Sequence, residues 1–357
     1  MIDTLDIAFQ KTSKSKLNDL DVNNVDFGRA FSDHMFTADF KGGQWTDHRI
    51  IPYGNLSISP ANTTIHYSST IFEGLKAYRS SKNNEILVFR PKDNARRMAK
   101  SAERMCMPAV PRELFISAME ELIRIDQKWV PNAPGNSLYI RPFQFASDSY
   151  IGIRPSDEYQ FLIITGPVGP YYSAPVKVLV ETKYTRAAPG GTGFAKTGGN
   201  YAASLYPAKF AQEKGYNQLI WTDALTHEYI EESGTMNLMF VINDTLVTPP
   251  TGDTILEGIT RDSILRLAKN QGIPVEVRPI KVREVIDAIE KETMQEAFGA
   301  GTAATIAPIA LIGYDGRDYQ LPPVKGWKYS NQILTTLNGI KVGEIEDRYD
   351  WLHTIKL

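Results

Sequence analysis

The hydrophobic and polar positions along the chain fall into two blocks, separated by a segment rich in proline and glycine. In the first block, short apolar runs between turns predict strands, and longer runs with apolar residues at helical spacing predict helices. The segment 112–129 is the clearest helix, because most of its apolar residues fall on one side at that spacing. The predicted elements are strands at 55–59 and 85–89, helices at 94–105 and 112–129, and strands at 137–145 and 159–165.

Residues 166–175 hold the breakers that separate the blocks, and they are the best candidate for a domain linker. The second block again mixes strands and helices. One helix is expected to begin after Asn200, a good N-cap, and to stop at Gly215. The predicted elements are strands at 176–181 and 218–221, a hairpin of 238–242 and 245–248, and helices at 201–214, 261–270 and 282–291.

This order of elements predicts a mixed α/β fold, and a length of 357 residues favours two domains over one. Residues 1–25 are polar and aperiodic, which indicates an extended or poorly ordered arm. We therefore predict an arm at 1–25, a small N-terminal domain at 26–166, a linker at 167–175 and a large domain at 176–357.

Composition and charge exclude several classes of function. The net charge is −2 and no basic run occurs, so neither nucleic acid nor an anionic membrane is expected as a partner. The sequence has neither a long apolar segment nor a signal-peptide pattern, and we expect a cytoplasmic protein. Its single cysteine, Cys106, cannot form an intramolecular disulfide, and its five histidines lack metal-ligand spacing, so no metal site is predicted.

Lys196 is the first candidate for chemistry, because it lies in a run of small residues, 189–201, with no nearby acid on its N-terminal side. Glycines let backbone approach closely, so a flat ligand could be held against the amine and exclude water from it. Desolvation makes the neutral amine accessible, as a Schiff base with an aldehyde requires. The alternative for this residue alone is a surface lysine in a flexible loop.

The same run is one substitution from the phosphate-binding loop of nucleotide hydrolases, with Ala195 in place of glycine. In that loop the lysine enters a helix directly, whereas here Gly198 and Gly199 follow, and glycine disfavours a helix interior. The preceding residues 181–186 are also mostly polar, where a buried strand is required. A nucleotide-binding protein therefore remains a rival interpretation from another functional class.

Two glycine-containing segments could bind a phosphate through backbone amides. Gly258-Ile259-Thr260 precedes a predicted helix, and the run 299–304 is a glycine-rich turn that carries the hydroxyl of Thr302. A bound pyridine ring would also need a carboxylate at its nitrogen, and the tandem pair Glu231 and Glu232 offers two candidates. Taken alone, each feature has an ordinary structural explanation, namely a capped helix or a solvated surface.

Taken together and in order, these motifs resemble the branched-chain amino acid aminotransferases, which belong to the fold type IV pyridoxal-phosphate enzymes. The resemblance covers nearly the whole chain. It implies a two-domain α/β fold with a smaller N-terminal domain and a larger C-terminal pseudo-barrel domain. The matching segments are 27–35, 66–77, 138–142, 196–201, 232–237, 258–261 and 301–304.

The resemblance implies that pyridoxal 5'-phosphate is the cofactor and assigns residues to it. Lys196 corresponds to the lysine that forms the Schiff base and moves the proton at the substrate α-carbon. Arg97, the Ile259 and Thr260 amides and Thr302 correspond to the phosphate site, with Arg186 nearby. Tyr201 matches the tyrosine that bonds the phenolic oxygen, and Glu232 the carboxylate at the pyridine nitrogen.

The resemblance also implies a substrate site completed by a second subunit. Tyr67, Phe72 and Tyr171 correspond to pocket walls, Tyr139 and Arg141 to polar groups of the pocket, and Thr235 and the Ala303 amide to substrate-binding positions. Ile151 and Ile153 match residues lent across the interface of a homodimer. We thus expect a ping-pong transaminase that moves the amino group of leucine, isoleucine or valine to 2-oxoglutarate. The segment 27–35 and Arg141 argue against two other fold type IV activities, D-amino acid transamination and aminodeoxychorismate cleavage.

Overall fold

The computed structural model describes residues 6–171 and 174–357, which form two compact units. The first unit comprises the residues up to Tyr171, together with Ala195–Gly198 and Ile340–Leu357; the second comprises the rest. The sequence predicts a single boundary at 167–175 and one domain over 176–357. In the structure two segments beyond that boundary, Ala195–Gly198 and Ile340–Leu357, belong to the first unit. Residues 1–5 of the predicted arm and 172–173 of the predicted linker lie outside the described residues.

The first unit is built on one sheet, in the order β1-β3-β2-β8-β7-β5-β6-β18, with β4 also paired to β7. Two helices, α2 and α3, pack together, and one apolar core includes residues of both helices and of this sheet. The strands are β1 (Ala8–Phe9), β2 (His34–Lys41), β3 (Gln44–Pro52), β4 (Thr70–Phe72), β5 (Leu75–Arg79), β6 (Glu85–Phe89), β7 (Ser137–Ala146), β8 (Tyr159–Val168) and β18 (Leu352–Lys356), and the helices are α1 (Thr63–Tyr67), α2 (Pro91–Arg104) and α3 (Arg112–Ile125).

The second unit contains a closed barrel. Six strands follow the ring β11-β10-β9-β16-β15-β12, and pairing between β11 and β12 closes it. The pseudo-barrel implied by the resemblance is confirmed. The strands are β9 (Val176–Glu181), β10 (Gln218–Thr222), β11 (Ile230–Ser233), β12 (Met236–Ile242), β13 (Thr245–Thr248), β14 (Val275–Val277), β15 (Met294–Gly301), β16 (Thr305–Tyr314) and β17 (Arg317–Gln320), and the helices are α4 (Gly198–Ala202), α5 (Leu205–Glu213), α6 (Ile259–Asn270) and α7 (Val282–Glu290), with α8 (Tyr329–Lys341) following.

Some predicted elements are wrong in detail. Residues 55–59 are not a strand, and three of the five are exposed, because they lie outside both sheets. The helix predicted at 201–214 is split into α4 and α5, and α4 includes Gly198 and Gly199. At Gly198 a Cβ would lie 2.9 Å from the Thr70 side chain, so close packing explains a glycine in this short helix. The proposed arm is also partly ordered, since β1 pairs with β3.

Two buried lysines of the first unit lie outside every predicted site. Lys76 is on β5, and Lys341 ends α8 with its ammonium 5.3 Å from the ring centroid of Phe89. Lys76 is 8% exposed and Lys341 is 4% exposed. Burial lowers the pKa of Lys76 to about 8, and burial together with the charge of Lys76 lowers the pKa of Lys341.

We expect the free energy of unfolding to rise as the pH rises from about 8 towards 10.5. In this range the unfolded chain binds a proton at Lys76 that the folded chain has released, so deprotonation favours the folded state, by up to about 3 kcal/mol. Denaturant titrations across this range should show the rise in the wild type and a smaller one in Lys76→Met. Equal slopes for the two proteins would contradict the prediction.

No helix within the described ranges is both long and apolar enough to cross a membrane.

Candidate active site

The Lys196 segment is fixed inside the first unit by strand β4 and helix α2. The backbone N–H of Lys196 donates to Ser101 Oγ at 2.9 Å, and its carbonyl accepts from the N–H of Phe72 at 3.0 Å. Thr197 is bridged to Ile71. The Lys196 ammonium lies 4.9 Å from the centroid of the Phe72 ring, and the residue is half-buried. The lysine is therefore held by backbone contacts and lies against an aromatic face, which excludes the flexible surface loop.

Arg97 lies on α2, and its guanidinium makes a two-pronged contact with the carboxylate of Glu73. Nε donates to Oε1 at 2.8 Å and Nη2 to Oε2 at 2.7 Å. Glu73 is completely buried and also accepts from Asn94 Nδ2 at 2.7 Å. Burial alone would raise the pKa of Glu73, but the charges of Arg97 and Lys196, with the hydrogen bonds of Arg97 and Asn94, hold it below its ordinary value.

Arg141 lies on β7 within an aromatic group of the first unit. Its guanidinium carbon is 4.6 Å from the Phe72 ring centroid, and Nη2 donates to Tyr139 Oη at 2.7 Å. Its Nε is buried and has no hydrogen-bond partner among the described residues. An unpaired buried N–H of a cation is costly, so this side chain is well suited to receive a carboxylate.

A cavity of about 240 Å³ opens beside Arg141 and Tyr139. Phe27 forms part of its wall and packs edge-on against Tyr139 and Tyr171, with centroid separations of 4.9 and 5.0 Å. The close approach of Tyr139 to the chain requires glycine at 74, where a Cβ would lie 2.3 Å from Tyr139 Oη. The cavity therefore combines an aromatic wall with one cationic group, a mostly apolar lining with few polar groups that is typical of small-molecule sites.

Glu232 is a buried carboxylate of the second unit whose two oxygens both have hydrogen-bonding partners. Strand β11 and strand β12 are joined by a tight turn at Gly234, whose φ is +54°, and this register sets Glu232 opposite Asn237. Glu232 Oε1 accepts from Asn237 Nδ2 at 3.0 Å and from the N–H of Leu256 at 2.9 Å, and Oε2 lies 3.1 Å from Arg186 Nη2. Three donor atoms thus hold one buried carboxylate in a fixed orientation.

Glu231, the other member of the tandem pair, is buried but held differently. Its Oε2 has no hydrogen-bond partner among the described residues. Burial raises the pKa of Glu231 to about 7, with the hydrogen bond of Thr254 and the charge of Arg186 opposing the shift. At neutral pH this group is therefore only partly ionised, and its environment does not suit a permanent ion pair with a ring nitrogen.

Helix α6 and the β15–β16 turn provide the predicted backbone sites for an anion. Helix α6 begins at Ile259 with Gly258 as its N-cap, and no side chain caps it. A Cβ at 258 would lie 1.8 Å from Asn237 Oδ1, so glycine is required where the amide that holds Glu232 meets the helix start. Thr302 lies in the turn between β15 and β16 and is half-buried.

The remaining predicted residues lie at the following places. Tyr201 is in α4, and Thr235 and Ala303 are in turns of the second unit, with Thr235 exposed. Tyr67 ends α1 and is 39% exposed. Ile151 and Ile153 are 65% and 93% exposed, which is unusual for isoleucine. Arg186, which the resemblance assigns to the phosphate site, is paired with Glu232, and its role towards phosphate stays a prediction.

Sequence reasoning did not identify the groups that orient the charged residues. Glu73 holds Arg97, Asn94 holds Glu73, and Asn237 holds Glu232, yet none of these three supporting residues was a candidate. Glu73 and Asn237 both lie inside matching segments, which was the available signal. Within the described parts of the chain, no group of histidine, cysteine and acidic residues could hold a metal ion.

Comparisons with known proteins agree with this geometry. Residues 70–312 match the family described as amino-transferase class IV. The chain is 42% identical over 352 residues to branched-chain-amino-acid aminotransferase 2 of Bacillus subtilis, covering 98% of this chain and 96% of the relative. It is 41% identical over 338 residues to the branched-chain-amino-acid aminotransferase of Mycolicibacterium smegmatis, covering 92% of both.

Solved structures show the same relationship. The branched-chain amino acid aminotransferase of Escherichia coli aligns with a TM-score of 0.73 and 28% identity, covering 91% of this chain and 99% of that one. The branched-chain aminotransferase of Thermoproteus uzoniensis, solved with norvaline, aligns with a TM-score of 0.75 and 27% identity, covering 90% and 100%. Sequence and fold agree, and the chain belongs to the class IV aminotransferase family.

Proposed function

We propose that this chain is a pyridoxal-phosphate-dependent aminotransferase that moves the amino group of leucine, isoleucine or valine to 2-oxoglutarate in a ping-pong cycle. The observation that carries the proposal is the match, over nearly the full length, to relatives named for branched-chain amino acid transamination. Leucine added to the purified protein should change its visible absorption, and 2-oxoglutarate should restore it. An unchanged spectrum with no glutamate formed would reject the proposal.

The residues present suit this cofactor. Pyridoxal phosphate supplies an electron sink that stabilises negative charge at the substrate α-carbon. Glu232, ordered by Arg186, Asn237 and Leu256, is suited to keep a ring nitrogen protonated. In the first unit, the guanidinium of Arg97 is suited to a phosphate. In the second unit, the start of α6 and the Thr302 turn each offer groups of the kind that bind a phosphate. Tyr201 is proposed to bond the phenolic oxygen.

Lys196 is the proposed catalytic residue. Its backbone is fixed on both sides by Ser101 and Phe72, so the side chain that carries the amine extends from a fixed position. In the proposed role the amine binds the cofactor and then accepts and returns the proton of the substrate α-carbon, which is general acid–base catalysis by a positioned group. The Phe72 ring limits the positions that the amine can reach.

The cavity beside Arg141 is the proposed substrate site. Phe27, Phe72 and Tyr171 are suited to an apolar side chain, and Tyr67 of the same unit is proposed to contribute to the site. The roles of Thr235 and the Ala303 amide towards the substrate stay predictions. When leucine is bound, the Arg141 cation remains partly satisfied by Tyr139 Oη and the two aromatic faces. When glutamate is bound, its side-chain carboxylate can accept from the guanidinium. One pocket can thus serve both half-reactions.

Arg141→Met should lower kcat/KM for glutamate and 2-oxoglutarate by about tenfold to a hundredfold, because a charge-assisted hydrogen bond contributes about 1.5–3 kcal/mol. The leucine half-reaction should change much less, since its side chain makes no ionic contact. Single-turnover rates for the two amino acids, measured separately on the variant, test this. Parallel losses for both would remove the idea of a selective carboxylate contact.

The protein is also proposed to act as a homodimer. Ile151 and Ile153 are exposed in one chain, and Tyr150 beside them is 44% exposed, which suits contact with a second subunit. Light scattering on the purified protein tests the mass directly. The cytoplasmic location stays a prediction.

The nucleotide-binding alternative receives no support from the geometry. The strand before Lys196, β9, ends at Glu181, well before the lysine, and the helix that follows, α4, spans only Gly198–Ala202. A phosphate-binding loop of that class joins a buried strand directly to a helix. The other fold type IV activities are distinguished by supplying D-amino acids or aminodeoxychorismate in place of leucine.

A further inference from the structure

The buried carboxylate of Glu73 has no role in the function proposed above, although it interacts with the charges of Arg97 and Lys196. Its exposed fraction is 0%, and it follows directly after Phe72, the last residue of β4. It occupies two N–H donors of the Arg97 guanidinium, and Asn94, one turn earlier on α2, donates to the same carboxylate. A carboxylate this deeply buried is stable only because it is paired and fully hydrogen-bonded.

Glu73 also belongs to a closed circuit of contacts that passes through Lys196. The Lys196 N–H donates to Ser101 Oγ, and the Ser101 hydroxyl donates to the Arg97 carbonyl at 3.1 Å. The Lys196 carbonyl accepts from the N–H of Phe72, which is covalently joined to Glu73. The Glu73–Arg97 ion pair closes the circuit. A shift of the guanidinium therefore strains the same contacts that place the lysine backbone.

We propose that Glu73 is a positioning residue that fixes the Arg97 guanidinium relative to Lys196, so that the phosphate end and the aldehyde end of the cofactor are held at a set separation. The inference rests on the proposed function. Two parallel hydrogen bonds determine the plane of a guanidinium, which a single contact cannot do. Glu73 thereby decides which edge of Arg97 is presented to a phosphate.

The test compares pyridoxal phosphate with pyridoxal, which lacks the phosphate, as ligands of the full-length protein. In Glu73→Gln the two-pronged contact is lost, because the amide nitrogen cannot accept from Arg97. The affinity for pyridoxal phosphate should fall about tenfold or more, and the affinity for pyridoxal should change little. The ratio of the two dissociation constants measures the orientation of Arg97 and needs no turnover.

Two further variants keep the test decisive. Glu103→Gln, an exposed residue of the same helix, should leave the ratio unchanged. If Glu73→Gln does not fold, Glu73→Asp keeps the buried negative charge beside Arg97 but shortens the side chain, so the two-pronged contact is displaced while no charge is left unpaired. The Glu73→Asp variant retains Arg97 and should still show the reduced ratio.

Two results overturn the inference while leaving the proposed function intact. One is an equal loss of affinity for both ligands in Glu73→Gln, which indicates a purely structural role. The other is an unchanged ratio in a folded variant. Failure of the proposed function is recognised separately, because the wild-type protein would then bind neither ligand and form no glutamate from 2-oxoglutarate and leucine.

Discussion

Lys196→Ala is expected to abolish turnover, with a loss of at least about 10⁴-fold in kcat, because the variant lacks the only group proposed to move the α-carbon proton. Alanine keeps the backbone contacts with Ser101 and Phe72, so the fold of the segment should persist. The variant should still bind cofactor non-covalently, because the other residues proposed for the cofactor are unchanged. Borohydride should fix cofactor to the wild type and not to the variant, as mass spectrometry would show.

The matched control for this prediction is Lys209→Ala. Lys209 lies on α5, its side chain is 76% exposed, and it pairs with Glu213 at 3.8 Å. Its loss should leave both turnover and covalent fixation unchanged. If borohydride still fixed cofactor to the Lys196→Ala protein, the assignment of the lysine would be wrong.

Glu232→Gln is expected to lower kcat by about a hundredfold. A charge-assisted hydrogen bond contributes about 1.5–3 kcal/mol, and the demand on the ring nitrogen is greatest when charge develops at the α-carbon, so the loss should appear mainly in kcat. Glutamine preserves the size of the side chain and can still accept from Asn237 and Leu256 through its oxygen. Steady-state kinetics with leucine, together with a measured cofactor affinity, separate this loss from incomplete loading.

Glu231→Gln is the control within the same tandem pair, and its effect on kcat should be small. The pKa of Glu231 is already raised by burial to about 7, so neutralising this residue removes little charge near neutral pH. The substitution should even stabilise the protein above pH 7. Between pH 4.5 and about 7 the unfolded wild type has released the Glu231 proton that the folded state still holds, so its free energy of unfolding falls over this range, and a glutamine avoids the loss. Small and equal effects of both substitutions on kcat would show that Glu232 does not face the ring.

The sequence indicated candidate residues for the chemistry, but not the contacts that hold those residues in place. Lys196 and Glu232 could be chosen because each lies in a short motif, and the order of the motifs matched one family. Contacts within one motif join residues that are close in sequence, so the sequence can indicate them; the turn at Gly234 is an example. The ion pair between Glu73 and Arg97 is not local. It forms only because tertiary packing brings α2 close to β4, and no periodic pattern in the sequence predicts that contact.

The same limit applies to the elements. Helix α3 was located correctly at its start because its apolar stripe faces the core, whereas the alternation at 55–59 has no neighbouring strand to bury it. Helix α2 begins at Pro91 rather than near Asn94, because Arg90 takes the left-handed conformation, with φ at +52°, and turns the chain into the helix. The local hydrophobic pattern alone therefore determines neither the conformation of residues 55–59 nor the start of α2.

Strand β18 makes the order of synthesis matter for the first unit. It pairs along the whole of β6, with Ile355 opposite Ile86 and His353 opposite Val88. Until residues 352–356 leave the ribosome, β6 has an open edge, so this unit cannot finish folding before the barrel has been made. We therefore expect the nascent N-terminal unit to need protection against aggregation, and an isolated fragment of residues 1–171 to be recovered in soluble form only when a peptide of residues 340–357 is supplied.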